Sequence, residues 1–439
     1  MAAHCFDATT FVGPCNHKAR GQHHNPPAPG RSHYLKIKRK QVCNKFFIGM
    51  KRIHTILIIL LLAVTYGEAK KSSDDRQMDD FITSLMKKMT LEEKIGQLNL
   101  GGVGSPKVVG SAIGLDEAIR KGLVSSVGGF DAKAAEDAQK FAVENSRMKI
   151  PLITGLDVVH GYYTIFPIPL ASACSWNMPL LEESARVAAD EASAFGINWT
   201  FAPMVDICRD PRWGRIAEGA GEDPCLGSRI GRAMVRGFQG DDLSKPNTLL
   251  ACVKHFALYG ASEAGRDYNT VSMDPVTMYN YYLPPYKAAF DEGAGSGMTS
   301  FNVVNGVPAT GNKWLLTDLL RDQWKFKGFM VSDANSLAEM SEHGMGGAQR
   351  ITELAMNAGL DMDMSSSLYV LCLKKAVEEK RVPLSRIDAA CRRVLEAKYK
   401  LGLFEDPFRY LKNKQRQSQV LSPQNRDVAR RLAAESIVL

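Results

Sequence analysis

Four short apolar runs in this chain stop at a charged side chain. Leu156 is followed by Asp157, Val205 by Asp206, Val253 by Lys254 and His255, and Ser332 by Asp333. Carboxylates beside a lysine and a histidine are the groups of nucleophilic and acid–base chemistry, provided that the fold gathers them. Taken singly, each has a plainer fate. A surface Asp is ordinarily a solvated ion-pair partner, and Ser332 or Asp333 would cap a following helix well. Four such tips are harder to explain that way if the runs are neighbouring strands.

The surrounding pattern makes them neighbours. Candidate strands run over Val124 to Gly128, Leu152 to Leu156, Thr200 to Val205, Leu249 to Val253, Gly297 to Phe301 and Phe329 to Ser332, with a weaker one at Leu360 to Met362. Amphipathic stretches lie between them, at Asp131 to Asn145, Leu180 to Phe195, Arg229 to Gln239 and Trp314 to Gln323. Strands separated by helices imply right-handed βαβ units and a parallel sheet. Their number and spacing favour an α/β fold of the (β/α)8 (TIM) barrel type over an open doubly wound sheet. No Gly-rich phosphate fingerprint follows the first strand, which argues against a nucleotide-binding fold. In a barrel the C-terminal ends of the strands share one opening, so the charged tips would meet there. Upstream, Phe81 to Met89 reads as a helix, and Thr90 with Glu93 as a capping box that starts the next.

Length and charge set the outer bounds. A chain of 439 residues with 45% hydrophobic content can bury a large core. Its net charge of +8 comes from one end: of 55 Lys and Arg and 47 Asp and Glu, residues 1–69 hold ten basic and two acidic ones, leaving 45 of each. A formally neutral body gives no reason to expect a nucleic-acid partner.

Residues 50–69 read as a signal peptide. Met50-Lys51-Arg52-Ile53-His54 is a basic start, Thr55 to Val64 an apolar core, and Gly67-Glu68-Ala69 a small-residue exit. The core is short for a membrane span. The expectation is cleavage near Ala69, a periplasmic or secreted protein, and no membrane contact afterwards. Residues 1–49 carry no periodic pattern and read as an unstructured extension ahead of a start assigned too far upstream. The competing reading is a basic tail on an uncleaved anchor. The rest is expected to divide into a barrel over 70–410 and, over 411–439, a linker and the beginning of a truncated second domain.

Cofactor chemistry has little to stand on. Cys174, Cys208, Cys225, Cys252, Cys372 and Cys391 are scattered without paired ligand spacing and read as small buried hydrophobes. Six of the nine His lie in residues 1–69, leaving His160, His255 and His343. No metal and no cofactor is expected.

An ordered series of motifs resembles glycoside hydrolase family 3, in particular its periplasmic bacterial β-glucosidases. It consists of Gly155-Leu156-Asp157-Val158-Val159-His160-Gly161, then Arg209-Asp210-Pro211-Arg212-Trp213-Gly214-Arg215 with Gly221-Glu222-Asp223-Pro224, then Val253-Lys254-His255-Phe256-Ala257, then Gly328 to Asp333. The resemblance runs from about residue 76 to the end of the chain. It implies a retaining exo-acting β-glycosidase that removes terminal nonreducing β-D-glucosyl residues from a β-linked oligosaccharide or glycoside. Asp333 would be the nucleophile. Asp157 would accept hydrogen bonds from sugar hydroxyls, and Arg215, Lys254 and His255 would donate to hydroxyls and carboxylates. Retention needs a second carboxyl roughly 5–5.5 Å from the nucleophile, and nearby cations are expected to keep Asp333 ionised.

The chain also departs from the family pattern. Ala334 stands where plant members often carry Trp, and Phe301 where some carry Tyr. Residues 428–439 resemble the lead into the α/β sandwich domain that supplies the acid/base glutamate in most two-domain members. The Pro-Gly-His-Gly type loop of the one-domain N-acetylhexosaminidase branch is replaced by Leu258 to Asn269, whose Glu263 is a surface-loop carboxylate. A β-xylosidase, a sugar-binding barrel that has lost its acid, and a membrane-tethered structural protein remain as alternatives.

Overall fold

Eight parallel strands wrap around a filled interior. In this computed structural model residues 74–102, 113–128, 132–412 and 414–438 are described, so the extension over 1–49 and the signal peptide over 50–69 lie outside the described residues. Residues 76–439 form one unit. The strands are β1 (Asn99–Gly102), β2 (Ser126–Gly128), β3 (Ile153–Leu156), β4 (Trp199–Thr200), β5 (Leu250–Phe256) and β6 (Ser296–Thr299). A small antiparallel hairpin comes next, of β7 (Val303–Val304) and β8 (Val307–Pro308), and then β9 (Phe329–Val331) and β10 (Asp363–Met364).

The sheet order is β10-β1-β2-β3-β4-β5-β6-β9. A parallel bridge between Val331 and Met362 joins its two ends. There the Ser332 amide donates to the Met362 carbonyl and the Met362 amide to the Met330 carbonyl, both at 2.9 Å. Helices fill the connections, which makes this the (β/α)8-type barrel that the strand–helix alternation implies. Trp199 on β4 plugs the interior: its ring meets Phe329 of β9 edge-on at 5.2 Å, and its indole N–H donates to Ser296 Oγ of β6 at 2.8 Å.

The capping box forms as its sequence predicts. Thr90 Oγ1 accepts from the Glu93 amide at 3.2 Å, and the Thr90 amide donates back to Glu93 Oε2 at 2.9 Å. Sequence reading missed β1 and the β7–β8 hairpin, and β10 lies at Asp363–Met364, just past the strand expected at Leu360 to Met362. In β1, Asn-Leu-Gly-Gly has a single large apolar residue and no alternation, so nothing local marks it. It is a strand because β10 and β2 flank it, pairing Leu100 with both Met364 and Ser126.

The structure also differs from the sequence pattern at β5 and at the end of the chain. β5 does not stop at Val253 but continues to Phe256. Its register against β6 slips by one residue there, because Val253 pairs with Gly297 and Phe256 with Thr299. The segment over 411–439 contains a helix, Pro423–Glu435, whose Val428 and Leu432 bury against Phe166, Leu180 and Leu181 on the barrel flank. Among the cysteines, Cys208, Cys252 and Cys391 are buried as expected, whereas Cys372 is half-buried and Cys174 and Cys225 are exposed at helix ends. No described helix is long and apolar enough to cross a membrane.

One core residue works against the fold. Lys398, on the helix Leu384–Lys400, is fully buried, and its ammonium donates to Gln97 Oε1 at 2.7 Å. Burial penalises its charged form and drops its pKa to about 7. The unfolded chain holds this proton up to about pH 10.4. Between those values unfolding takes up a proton, so stability rises with pH there and levels off below pH 7. Lys398→Met is therefore expected to raise the urea midpoint at pH 7. It should also remove a pH dependence on the order of 1 kcal/mol per unit between pH 7.5 and 9.5, as read by denaturation at several pH values.

Candidate active site

The bulge on β5 brings two adjacent side chains to one place. In a regular strand Lys254 and His255 would point to opposite faces. The extra residue re-aims one of them, and both reach the end of the barrel where β3 and β9 finish. Lys254 Nζ donates to Asp157 Oδ1 at 2.5 Å, directly after β3. His255 Nε2 lies 3.6 Å from Asp333 Oδ2, two residues after β9. Lys254 and His255 are both buried, and Asp157 is the exposed member at the rim.

His255 is fixed by a carboxylate beneath it. Asp206 Oδ2 accepts from the His255 amide and from ring Nδ1, each at 2.9 Å. The phenol of Tyr286, on the helix Pro284–Asp291, donates to the other oxygen of Asp206. Above the ring, Arg215 Nη2 lies 3.0 Å from Nε2. A guanidinium has only N–H groups to offer, so Nε2 is the acceptor here and the ring proton sits on Nδ1, facing Asp206.

Arg215 is held on its other edge by Glu218, whose two oxygens accept from Nε at 2.6 Å and from Nη2 at 3.0 Å. Burial works against the arginine's charge, but Glu218 and then Asp206 and Asp333 more than offset it and raise its pKa. Burial likewise pushes the Glu218 carboxyl up, and the bonds from Arg215 outweigh it and leave Glu218 below the usual range. Arg212 of the same motif faces away, exposed and paired with Asp210. Asp223 closes the motif as the N-cap of the helix Pro224–Gln239, accepting from the Leu226 amide at 2.6 Å.

Asp333 sits where these groups point. Oδ1 accepts from the Ala334 amide at 2.7 Å. Oδ2 is buried and has no hydrogen-bond partner among the described residues. The expectation that neighbouring cations hold this carboxyl low is corrected here. Burial is the larger effect and raises its pKa; Lys254, Arg215 and, when protonated, His255 oppose it without prevailing. Burial also raises Glu339, on the short helix after Asp333, with Glu342 and Asp333 itself adding to the shift. Glu263 is exposed and takes no part in this network.

The wall beside His255 is aromatic. Tyr259 meets the His255 ring at 5.3 Å and Trp213 at 5.2 Å, and the Arg215 guanidinium lies 5.5 Å from its centroid. Phe301 is packed into the same cluster. Asp157, Arg215, Lys254, His255 and Asp333, nominated from sequence, thus form one connected set at one end of the barrel. Asp206 showed as a strand tip but its role did not. Glu218 and Tyr286 went unnoticed; the spacing of three between Arg215 and Glu218 was the one available signal.

Fold and site together define a (β/α) barrel with a carboxylate held beside a buried lysine and histidine, a half-buried arginine and an aromatic wall. The profile of "Glycosyl hydrolase family 3 N terminal domain" matches residues 90–397, and the chain belongs to that family. It is 42% identical over 370 residues to "Periplasmic beta-glucosidase" of Salmonella typhimurium, covering 82% of this chain and 48% of that one. It is 31% identical over 396 residues to "Beta-xylosidase" of Formosa agariphila, covering 84% and 48%. Among solved structures, a beta-glucosidase from Listeria innocua in complex with isofagomine superposes with a TM-score of 0.77 at 42% identity, over 81% of this chain and 51% of that one. The chain spans about half the length of the curated relatives it matches.

Asp206→Asn tests the foundation of the site. The amide nitrogen would face donors that now meet an acceptor, leaving a buried group unpaired. The expected cost is about 2–3 kcal/mol in denaturant unfolding, against about 1 kcal/mol for Tyr286→Phe. Equal costs for the two would show that Asp206 does not anchor the ring.

Proposed function

We propose that this barrel carries the nucleophile and the glycone pocket of a retaining exo-acting β-glycosidase of the β-glucosidase type. The observation that carries the reading is Asp333 Oδ2: a buried carboxylate oxygen with no hydrogen-bond partner among the described residues, at the mouth of a barrel, beside His255 and under the field of Lys254 and Arg215. An oxygen so placed is free to attack. In the first step Oδ2 bonds to the anomeric carbon as the bond to the leaving oxygen breaks, and that oxygen takes a proton from solvent water. In the second step water bonds to the anomeric carbon as the bond to Asp333 Oδ2 breaks, its spare proton passes to solvent, and the carboxylate is restored.

Asp157 and Lys254 form a charged acceptor and donor side by side, suited to a pair of vicinal sugar hydroxyls. Arg215, steadied by Glu218, would hold a hydroxyl next to the reacting carbon, and His255, steadied by Asp206, would accept from one where the hydroxyl replaces the Arg215 contact on Nε2. The glucosidase reading is further supported by the 42% identity to proteins named beta-glucosidase, against 31% to one named beta-xylosidase. Export to the periplasm or beyond is part of the proposal, supported by the basic and apolar run over residues 50–69 and by the name of the Salmonella relative.

The test uses aryl β-glucoside and aryl β-xyloside, whose leaving groups need little protonation. Asp333→Asn is expected to lower kcat on the glucoside by roughly a thousandfold or more. A 2-fluoro glucoside with an activated leaving group should label the peptide that contains Asp333. Undiminished turnover by the Asn variant, or label on another residue, would remove Asp333 from the role.

A pH profile gives a second check. Asp333 must be ionised to attack, and its pKa is raised, so kcat/KM should fall on the acid side with a midpoint above the ordinary aspartate value of about 3.9. An acid limb at or below that value would contradict the burial argument.

A further inference from the structure

Away from the pocket, Glu191 stands out. It lies near the C-terminal end of the helix Met178–Ala194 and is almost fully buried. Among the described residues its hydrogen-bond partners are all neutral donors, and they come from two distant parts of the chain. On one side, Oε2 accepts from the Tyr163 amide at 3.0 Å and the Thr164 amide at 2.7 Å, and Oε1 accepts from Thr164 Oγ1 at 2.7 Å. On the other, Oε1 accepts from the Leu421 amide at 3.0 Å and from Asn425 Nδ2 at 2.9 Å. Burial alone would raise this carboxyl, yet the donors outweigh it and keep it below the usual range.

The first side matters because of what precedes it. Residues 158–166 leave β3 directly after Asp157 and fold back on themselves. The Phe166 amide donates to the His160 carbonyl at 2.9 Å, and Gly161 bridges Ile165. Gly161 has φ +113°, and a Cβ there would come within 2.1 Å of the Thr164 carbonyl oxygen. A loop closed this tightly shifts as a unit, so what holds its tip at 163–164 also holds the end that carries Asp157. The second side belongs to the segment that leads into the helix Pro423–Glu435. That segment is further pinned by Arg416, which donates to the Asp190 carbonyl at 2.6 Å and to Ser193 Oγ at 2.8 Å.

We propose that Glu191 is a positioning residue: it clamps the loop that follows Asp157 to the C-terminal segment around 421–425, so that the placement of Asp157 depends on that segment. The inference about the loop stands on the hydrogen bonds alone. Its consequence for catalysis rests on the reading of Asp157 as a sugar ligand.

The test separates the two. In the full chain, amide hydrogen exchange is followed at residues 163, 164 and 421 for Glu191→Gln, Thr164→Val and Asn425→Ala. Among the described residues Asn425 makes no hydrogen bond to the loop, so faster exchange at 163 and 164 in Asn425→Ala is the expected sign of the clamp. Acceleration confined to 421–425 would overturn it. This arm is independent of any enzyme activity and survives if Glu191→Gln fails to fold.

In the second arm, Glu191→Gln is expected to lower kcat/KM on an aryl β-glucoside by roughly tenfold. In an Asp157→Asn background it should add little further loss, because both changes act through the same contact. Fully multiplicative losses, with loop exchange still accelerated, would mean that Glu191 holds the loop without positioning Asp157.

Discussion

Asp206 is the charge on which the rest of the pocket depends. It lies at the end of the segment after β4, buried, with donors on both oxygens: the backbone and ring of His255 and the phenol of Tyr286. A carboxylate buried without such donors would cost several kcal/mol. With them, it dictates which ring nitrogen of His255 carries the proton and which way the ring faces. Nε2 is thereby presented to the pocket, where it meets Arg215 at 3.0 Å and stands 3.6 Å from Asp333.

The remaining charges obey the same logic of one partner below and one open edge. Arg215 is gripped by Glu218 on one edge and turned towards His255 with the other. Lys254, buried along its stem, reaches the exposed Asp157. Asp333 is the exception, since its Oδ1 is satisfied by a backbone amide and its Oδ2 is not satisfied by anything among the described residues. Burying an unpaired acceptor is a cost that a purely structural residue would have no reason to carry. On the proposed reading of Asp333 as nucleophile, the same feature leaves the attacking atom without a bond to break first.

The parts of this arrangement that could be read from sequence are those that depend on a strand's end. Asp157, Lys254, His255 and Asp333 each close an apolar run, and a parallel barrel puts such ends together. What could not be read depends on geometry between distant segments. That Lys254 and His255 both face the pocket is a consequence of one slipped residue in the β5–β6 register, which no local pattern announces. Tyr286 lies in a helix with no motif, and its contact with Asp206 spans eighty positions of sequence. β1 is invisible for a related reason, since Asn-Leu-Gly-Gly becomes a strand only between two partners. The pKa of Asp333 was expected in the wrong direction because counting nearby cations omits desolvation, and here desolvation is the larger effect.

In the proposed mechanism Asp333 Oδ2 forms a bond to the sugar, and not merely a contact with it. Proton NMR of the first glucose released from an aryl β-glucoside, recorded before mutarotation, tests this directly. Two displacements at the anomeric carbon, the first by Asp333, predict that the β-anomer appears first. Initial release of the α-anomer would mean that water attacks in a single step, and would contradict the account.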